Sequence, residues 1–123
     1  MFRFVILHHV RAEPGASHYD WLFEVDGEGP LQTWAVDRAI SAEEACDVPC
    51  RLLTPHRREY LNYEGPIGGD RGVVSQWEAG TLGLLEQGPD FFRAALSGSR
   101  LRGRVEFIVC DKQWRLQIGR AHV

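Results

Sequence analysis

Four polar residues near the N-terminus have the types and spacing of a metal site. His18 and Asp20 are two apart in SHYDWLFEV. In a strand they would share one face, about 7 Å apart along the chain. The pair His8 and His9 ends the preceding apolar run. If these segments are antiparallel neighbours, either histidine could reach His18, and a His-His-Asp set binds a divalent transition metal. Alternation alone does not choose between them, and solvated side chains or histidines satisfied by hydrogen bonds are the alternative.

A second polar group, HRREY at 56–60, directly follows a proline. His56 and Tyr60 are four residues apart and would face the same way in one helical turn. With Arg57 and Arg58 between them, they could hold a phosphate oxygen or act on a leaving group. The alternative is a solvated basic loop in which Tyr60 packs inward.

Strand patterns dominate the segments that must position these residues. Short runs of β-forming or alternating apolar and polar residues recur between Gly, Pro and Asp turns, with turns predicted at 79–80, 88–90 and 97–99. The predicted strands are 2–9, 18–25, 31–36, 51–53, 73–78, 81–87, 91–96, 101–109 and 114–118.

This pattern predicts an all-β fold, a small closed β-barrel of about eight mostly antiparallel strands, because closure removes exposed strand edges. Ser41 is a plausible N-cap, so one or two short helical turns are expected from there towards Cys46, ended by Pro49.

Length and composition limit the possible classes of protein. The 123 residues, 44% of them hydrophobic, suit a single domain over 1–123. The longest apolar run is Phe4–Leu7, far short of a membrane span, and no secretory signal is apparent. We therefore expect a soluble cytoplasmic protein with no membrane partner. The net charge of −3 excludes coating of nucleic acid by bulk charge. Lys112 is the one lysine among 14 basic residues, and arginine suits local phosphate contacts.

The three cysteines do not indicate a disulfide framework, since their number is odd. Cys46 and Cys50 are spaced C-x3-C, but no second Cys/His pair at zinc-finger spacing accompanies them. The sequence therefore favours small buried residues around a turn over a structural zinc site.

Longer stretches make a family resemblance visible. The chain resembles the 3′-phosphoesterase domain of bacterial DNA ligase D, as a small free-standing relative. The matching stretches occur in the family's order and cover most of the chain: HYDWLFEVDGEGPLQTWAV at 18–36, HRREYLNYEGPI at 56–67, GDRGVVSQWEAGTL at 69–82 and LSGSRLRGRVEFIV at 96–109.

The resemblance implies a compact β-barrel and a manganese-dependent esterase that trims 3′ ends. Such an enzyme removes a terminal ribonucleoside and then the 3′-phosphate, which prepares broken DNA for end joining. It implies nucleic-acid 3′ ends as substrate and DNA end-joining proteins as possible partners. In family terms, His9, His18 and Asp20 match the metal ligands, and His56 and Tyr60 match residues that engage the phosphate.

Two departures from the family pattern bear on activity. Leu22 stands where the family has an arginine that contacts the scissile phosphate, so this contact of the family's catalytic site has no counterpart at that position. The loop between His9 and His18 is also longer than in the usual motif. Arginines on this loop or on neighbouring loops are candidates to bind phosphate instead: Arg11, Arg57, Arg58 and Arg71. Loss of one positioned charge typically costs a few kcal/mol of transition-state stabilisation.

Three functions therefore compete. The first is a metal-dependent phosphoesterase acting on nucleic-acid 3′ ends. The second is a module that keeps the metal and the anion pocket but has lost the chemistry, which Leu22 and the negative charge favour. The third is a phosphoesterase for a small phosphorylated metabolite, for which a negative net charge is no handicap.

Overall fold

A computed structural model describes residues 1–13, 16–40 and 45–119. The prediction of an all-β fold is confirmed, since these ranges hold ten strands and a single 3-10 turn, η1. Their bounds are β1 Phe2–Val10, β2 His18–Phe23, β3 Leu31–Val36, β4 Cys46–Pro49, β5 Arg51–His56, η1 Arg58–Leu61, β6 Gly65–Pro66, β7 Val73–Gly88, β8 Phe91–Gly98, β9 Arg102–Cys110 and β10 Gln113–Ile118.

The strands form one antiparallel sheet in the order β4-β10-β9-β8-β7-β1-β2-β3-β5, with β6 added to β7. The order ends at β4 and β5, which each pair with one neighbour, so the predicted closure into a barrel is not confirmed. These two end strands are nevertheless consecutive in the chain. Cys50 between them donates its N–H to the carbonyl of Trp114 at 3.1 Å, which fixes the crossing from one end of the sheet to the other.

The larger hydrophobic cluster is aromatic and receives one face of β2. The alternation of Tyr19, Trp21 and Phe23 predicts this face, and all three pack in the cluster. At its centre Trp34 stacks on Phe107, with ring centroids 4.3 Å apart. Each fully buried large side chain stabilises the fold by about 1.5–3 kcal/mol.

The opposite face of β1, β2 and β3 is covered by a second hydrophobic cluster. Its buried members are Val5, Leu7, Leu22, Leu31, Leu61 and Val74. Because Leu61 belongs to η1, this cluster attaches η1 to the sheet. Two polar contacts reinforce the attachment: Arg58 binds Glu24, and the Arg3 guanidinium donates to Asn62 Oδ1 at 2.8 Å. The segment from η1 to β7 therefore lies over the face that carries Asp20.

The predicted turn at residues 79–80 is wrong, because β7 runs unbroken through it. A Cβ on Gly80 would lie 2.2 Å from the carbonyl oxygen of Ser97 on β8. The glycine thus permits two strand backbones to approach closely. The register between β1 and β7 also shifts between Ile6 and Leu7, so β7 bends without ending.

The helical content differs from the expectation. Cys46–Pro49 is strand β4 rather than the end of a helical turn, because it pairs with β10. The predicted N-cap, Ser41, lies outside the described residues. Within the described ranges the one short helical turn is η1, which contains Tyr60. In the described ranges no helix is long and apolar enough to cross a membrane.

Candidate metal centre

Strand register brings His9, His18 and Asp20 together. In the antiparallel pairing of β1 with β2, His9 lies opposite His18, and Leu7 lies opposite Asp20. Directly opposed residues project to the same side of a sheet, so all three polar side chains lie on the face of the second cluster. His8 projects to the other face, where it stacks on Tyr19 with ring centroids 4.4 Å apart. The register thereby decides between the two histidines that alternation left open.

The ligand atoms of these three residues converge. One nitrogen or oxygen from each lies within 4.8 Å of the others, and in the described ranges this is the one such group of histidines, cysteines and carboxylates. Asp20 Oδ1 lies 3.0 Å from His18 Nε2, and Asp20 Oδ2 lies 3.6 Å from His9 Nδ1. This spacing suits side chains that share one divalent cation.

Asp20 is buried without full hydrogen bonding. Its exposure is 3%, and its Oδ1 atom has no hydrogen-bond partner among the described residues, because the nearby His18 nitrogen is not in hydrogen-bonding geometry. A buried carboxylate oxygen without a hydrogen bond is costly, and buried charges are normally hydrogen-bonded or coordinate metals. This unsatisfied oxygen is therefore the feature that fits a bound cation best.

His9 is oriented by a backbone carbonyl. Its Nε2 lies 2.6 Å from the carbonyl oxygen of Arg71, and since a carbonyl only accepts, Nε2 carries the proton. In neutral His9 the Nδ1 lone pair then faces Asp20, so two acceptors face each other across 3.6 Å. A cation between them removes the conflict. A metal-binding histidine commonly donates its second ring N–H to a carbonyl in this way.

The glycine-rich segment before β7 places that carbonyl. Gly69, Asp70 and Gly72 all have positive φ angles. At Gly72 the φ angle is 100°, and a Cβ would lie 2.2 Å from the carbonyl oxygen of Val10. Only glycine fits at this position, where the segment passes the end of β1. The sequence signalled an irregular segment here, but not its contact with His9.

His56 and Tyr60 contact each other but not the three metal-ligand candidates. Their ring centroids are 5.8 Å apart, and His56 donates Nδ1–H to the carbonyl of Thr54 at 2.8 Å. His56 pairs with Leu31 at the start of β3. Asp20 pairs with Ala35, near the other end of the same strand. In the described part of the chain, no hydrogen bond or ion pair joins His56 or Tyr60 to His9, His18 or Asp20.

The four candidate arginines have different surroundings. Arg58 binds Glu24 and donates to the carbonyl of Gly29, so its guanidinium holds η1 to the sheet. Arg57 and Arg71 line a cleft of about 270 Å³ together with Tyr60. Arg11 is exposed just after β1.

Glu24 is the buried partner of Arg58. Burial raises the pKa of Glu24, but hydrogen bonds from Arg58 and from the backbone N–H of Arg3 outweigh it and hold the pKa below its usual value. The carboxylate is thus kept charged. This strengthens the assignment of Arg58 to the fold, since transfer of its guanidinium to a phosphate would leave the buried Glu24 carboxylate without its cation.

Leu22 is completely buried in the second cluster. Leu22, at the position that carries an arginine in the resembled family, packs in the cluster that also contains Leu61 of η1. Sequence comparison located the departure, and the structure gives its environment. A cation that contacts phosphate would have to come from another element of this chain.

The cysteines form no site in the described ranges. All three are free. Cys50 is buried, and burial raises the pKa of its thiol to about 12, so it is protonated at neutral pH. This agrees with the expectation of a small buried residue at Cys50.

Comparison of the chain with protein-family models and with curated proteins gave no match in either case.

Proposed function

We propose that this protein is a divalent-metal-dependent phosphoesterase that acts on the 3′ ends of nucleic acid, with Mn²⁺ as the preferred ion. The observation that carries the proposal is the convergence of His9, His18 and Asp20, with one buried Asp20 oxygen that makes no hydrogen bond among the described residues. The sequence resemblance to the 3′-phosphoesterase domain of DNA ligase D supplies the reaction. By the same resemblance, the role is end cleaning in DNA break repair, alongside end-joining proteins.

The protein groups would divide the work as follows. His9, His18 and Asp20 would hold the ion, which supplies polarisation of the phosphoryl group or an activated water when bound. Because His56 uses Nδ1–H for the carbonyl of Thr54, its Nε2 is the atom that can accept or return a proton. Tyr60, beside His56, offers a hydroxyl to a phosphate oxygen.

A second candidate is a module that binds metal and nucleic-acid ends without cleaving them. The burial of Leu22 favours it, because an apolar, fully buried side chain stands where the resembled family has its arginine. The two candidates share the metal centre and differ only in the chemical step.

The deciding experiment measures phosphate release from a primer-template that bears a 3′-phosphate, with and without Mn²⁺. We expect release that depends on Mn²⁺ and falls at least about 100-fold in His18→Ala. Arg104→Ala, an exposed change on β9, is the matched control and should keep the rate. An active member of the resembled family is assayed in parallel.

Absence of turnover while that reference enzyme works would reject the phosphoesterase. Binding of the same 3′ end, dependent on His18 but without release, would then favour the binding module.

A further inference from the structure

We propose that the cleft lined by Arg57, Tyr60 and Arg71 is a binding subsite for a phosphate monoester, and that Arg71 couples its occupancy to metal binding. The inference rests on the metal centre of the proposed function. It adds a location for the anion and a link between the two sites.

The cleft has the size and chemistry for such a ligand. It measures about 270 Å³ and lies between η1 and the segment before β7. This is just below the usual range of pockets for drug-sized molecules, about 300–1,000 Å³, so it suits one phosphate with a small attached group. Two arginines and one glutamate contribute to its wall, while Tyr60, Tyr63 and Ile67 supply aromatic and apolar surface.

The Arg71 guanidinium, which lines this cleft, uses only one of its nitrogens in the contacts of the described residues. Its Nε donates to the carbonyl of Gly68 at 2.8 Å, which fixes the guanidinium within its own turn. In the described ranges its two terminal nitrogens make no hydrogen bond or ion pair. A planar guanidinium held in this way presents its remaining N–H groups for bidentate binding of a phosphate.

Arg57 is the second cation of the cleft. Its side chain is 72% exposed, its guanidinium lies 5.8 Å from the Tyr60 ring, and its Nε lies 3.4 Å from Glu59. Because this ion pair is exposed and long, it holds the guanidinium weakly. An anion can therefore compete with Glu59 for Arg57, whereas Arg58 is committed to the buried Glu24.

Arg71 also touches the metal centre through its backbone. Its carbonyl accepts the Nε2–H of His9 at 2.6 Å, so one residue lines the cleft with its side chain and orients a metal ligand with its main chain. An anion bound to the remaining N–H groups of the Arg71 guanidinium would restrict this residue further, and its carbonyl with it. By thermodynamic linkage, a bound ion that fixes His9 then favours the anion to the same degree.

The test is a set of calorimetric titrations with Mn²⁺ alone, inorganic phosphate alone, and Mn²⁺ at saturating phosphate. In the wild-type protein we expect phosphate to raise the Mn²⁺ affinity at least about fivefold. Arg71→Ala keeps the carbonyl, so the variant should still bind Mn²⁺ alone, while the enhancement of this affinity by phosphate disappears. Arg104→Ala, outside the cleft, should retain both the affinity for Mn²⁺ alone and its enhancement by phosphate.

The variant His18→Ala separates this inference from the proposed function. It should lose Mn²⁺ binding but still bind phosphate in the cleft, and a further Arg71→Ala change should abolish that binding. If the wild-type protein binds no Mn²⁺, the proposed function fails. Arg71-dependent phosphate binding to the metal-free protein would still support the subsite.

Two results would overturn the inference. One is an undiminished effect of phosphate on Mn²⁺ affinity in Arg71→Ala, which would mean that phosphate acts on the metal alone. The other is a failure of His18→Ala to bind phosphate through Arg71, seen either as phosphate binding that persists in the double variant with Arg71→Ala or as no phosphate binding to His18→Ala at all.

The source of the monoester is distinguished with two further probes on His18→Ala, which excludes turnover at the metal centre. Adenosine 3′-monophosphate represents a free nucleotide, and an oligonucleotide with a 3′-phosphate represents a strand end. Equal affinity for both indicates that the cleft binds only the terminal nucleotide. Tighter binding of the oligonucleotide indicates contacts beyond the cleft, and Arg71→Ala should weaken both ligands.

Discussion

Two buried carboxylates in this protein have opposite surroundings. Glu78 on β7 is 2% exposed and accepts five hydrogen bonds, of 2.5–3.1 Å, from Ala79 and from the turn between β8 and β9. Asp20 on β2 is equally buried at 3%, yet one of its oxygens has no hydrogen-bond partner among the described residues. Two histidine nitrogens lie beside it instead.

The difference separates a carboxylate whose hydrogen bonds are complete from the carboxylate of the candidate metal centre. Glu78 receives backbone N–H groups that would otherwise be unpaired, so its charge closes the turn at Ser99–Leu101. Neutral His9 turns an acceptor nitrogen towards Asp20, and Asp20 Oδ1 makes no hydrogen bond among the described residues, so a cation would complete the group. A satisfied buried carboxylate stabilises the fold, whereas an unsatisfied one indicates a site where stability was exchanged for binding.

The largest expected effect on stability is that of Glu78→Ala. Loss of the carboxylate leaves several buried backbone donors unpaired, each costing about 1–3 kcal/mol, so the free energy of unfolding should fall by at least about 3 kcal/mol. Urea denaturation measures this. The control Glu28→Ala, an exposed position, should change it by less than about 0.5 kcal/mol. A small loss in Glu78→Ala would contradict the structural role.

Asp20→Asn should separate the two carboxylates, because stability and metal binding should respond differently. Without metal, the free energy of unfolding should change by less than about 1 kcal/mol, since the amide is close in shape and carries no charge to desolvate. The Mn²⁺ affinity should fall at least about 100-fold, or about 2.7 kcal/mol. Denaturation and calorimetry on the same protein give both values. A large destabilisation with unchanged Mn²⁺ affinity would assign Asp20 to the fold instead.

Gly72→Ala should affect both the fold and the metal centre. The positive φ angle and the 2.2 Å approach to the carbonyl of Val10 should cost about 2 kcal/mol of stability. Displacement of the neighbouring Arg71 carbonyl from His9 should weaken Mn²⁺ binding about tenfold.

Gly68→Ala is the matched control for Gly72→Ala. It lies in the same segment, and a Cβ there meets nothing within 4 Å. Gly68→Ala should change neither the free energy of unfolding nor the Mn²⁺ affinity. Equal behaviour of the two variants would show that the segment does not position His9.

The smallest expected effect is on the pH dependence of stability. Burial raises the pKa of Glu78, but backbone hydrogen bonds, chiefly from Leu101 and Arg100, outweigh it and lower the pKa overall. Its contribution is therefore complete above the unfolded-state pKa, about 4.3, and is lost as the pH falls through the lower folded-state value. Urea midpoints between pH 7 and pH 3 should fall less steeply in Glu78→Gln. An unchanged slope would contradict this assignment.

Much of the strand pattern could be predicted from the sequence because side-chain alternation is local. The segment Leu31–Val36 was predicted with its observed bounds, and β2 begins at His18 as expected. The division of β2 into an aromatic face and a face with His18 and Asp20 was also correct. Glycine was less informative. Gly80 permits a close approach between strands, which a sequence pattern does not distinguish from a turn.

The sequence by itself determined that His18 and Asp20 share a face, and that a histidine pair ends the strand before them. Alternation left His8 and His9 open and the family resemblance favoured His9, whereas the tertiary structure places His9 beside His18 and Asp20, because that position depends on the register of two strands. It also placed the Arg71 carbonyl on His9 across 62 positions of sequence and buried Leu22 beneath η1. Periodicity reports the side to which a residue projects. The partners of that residue depend on which strands pair and in what register, so they are set only when distant segments pack together.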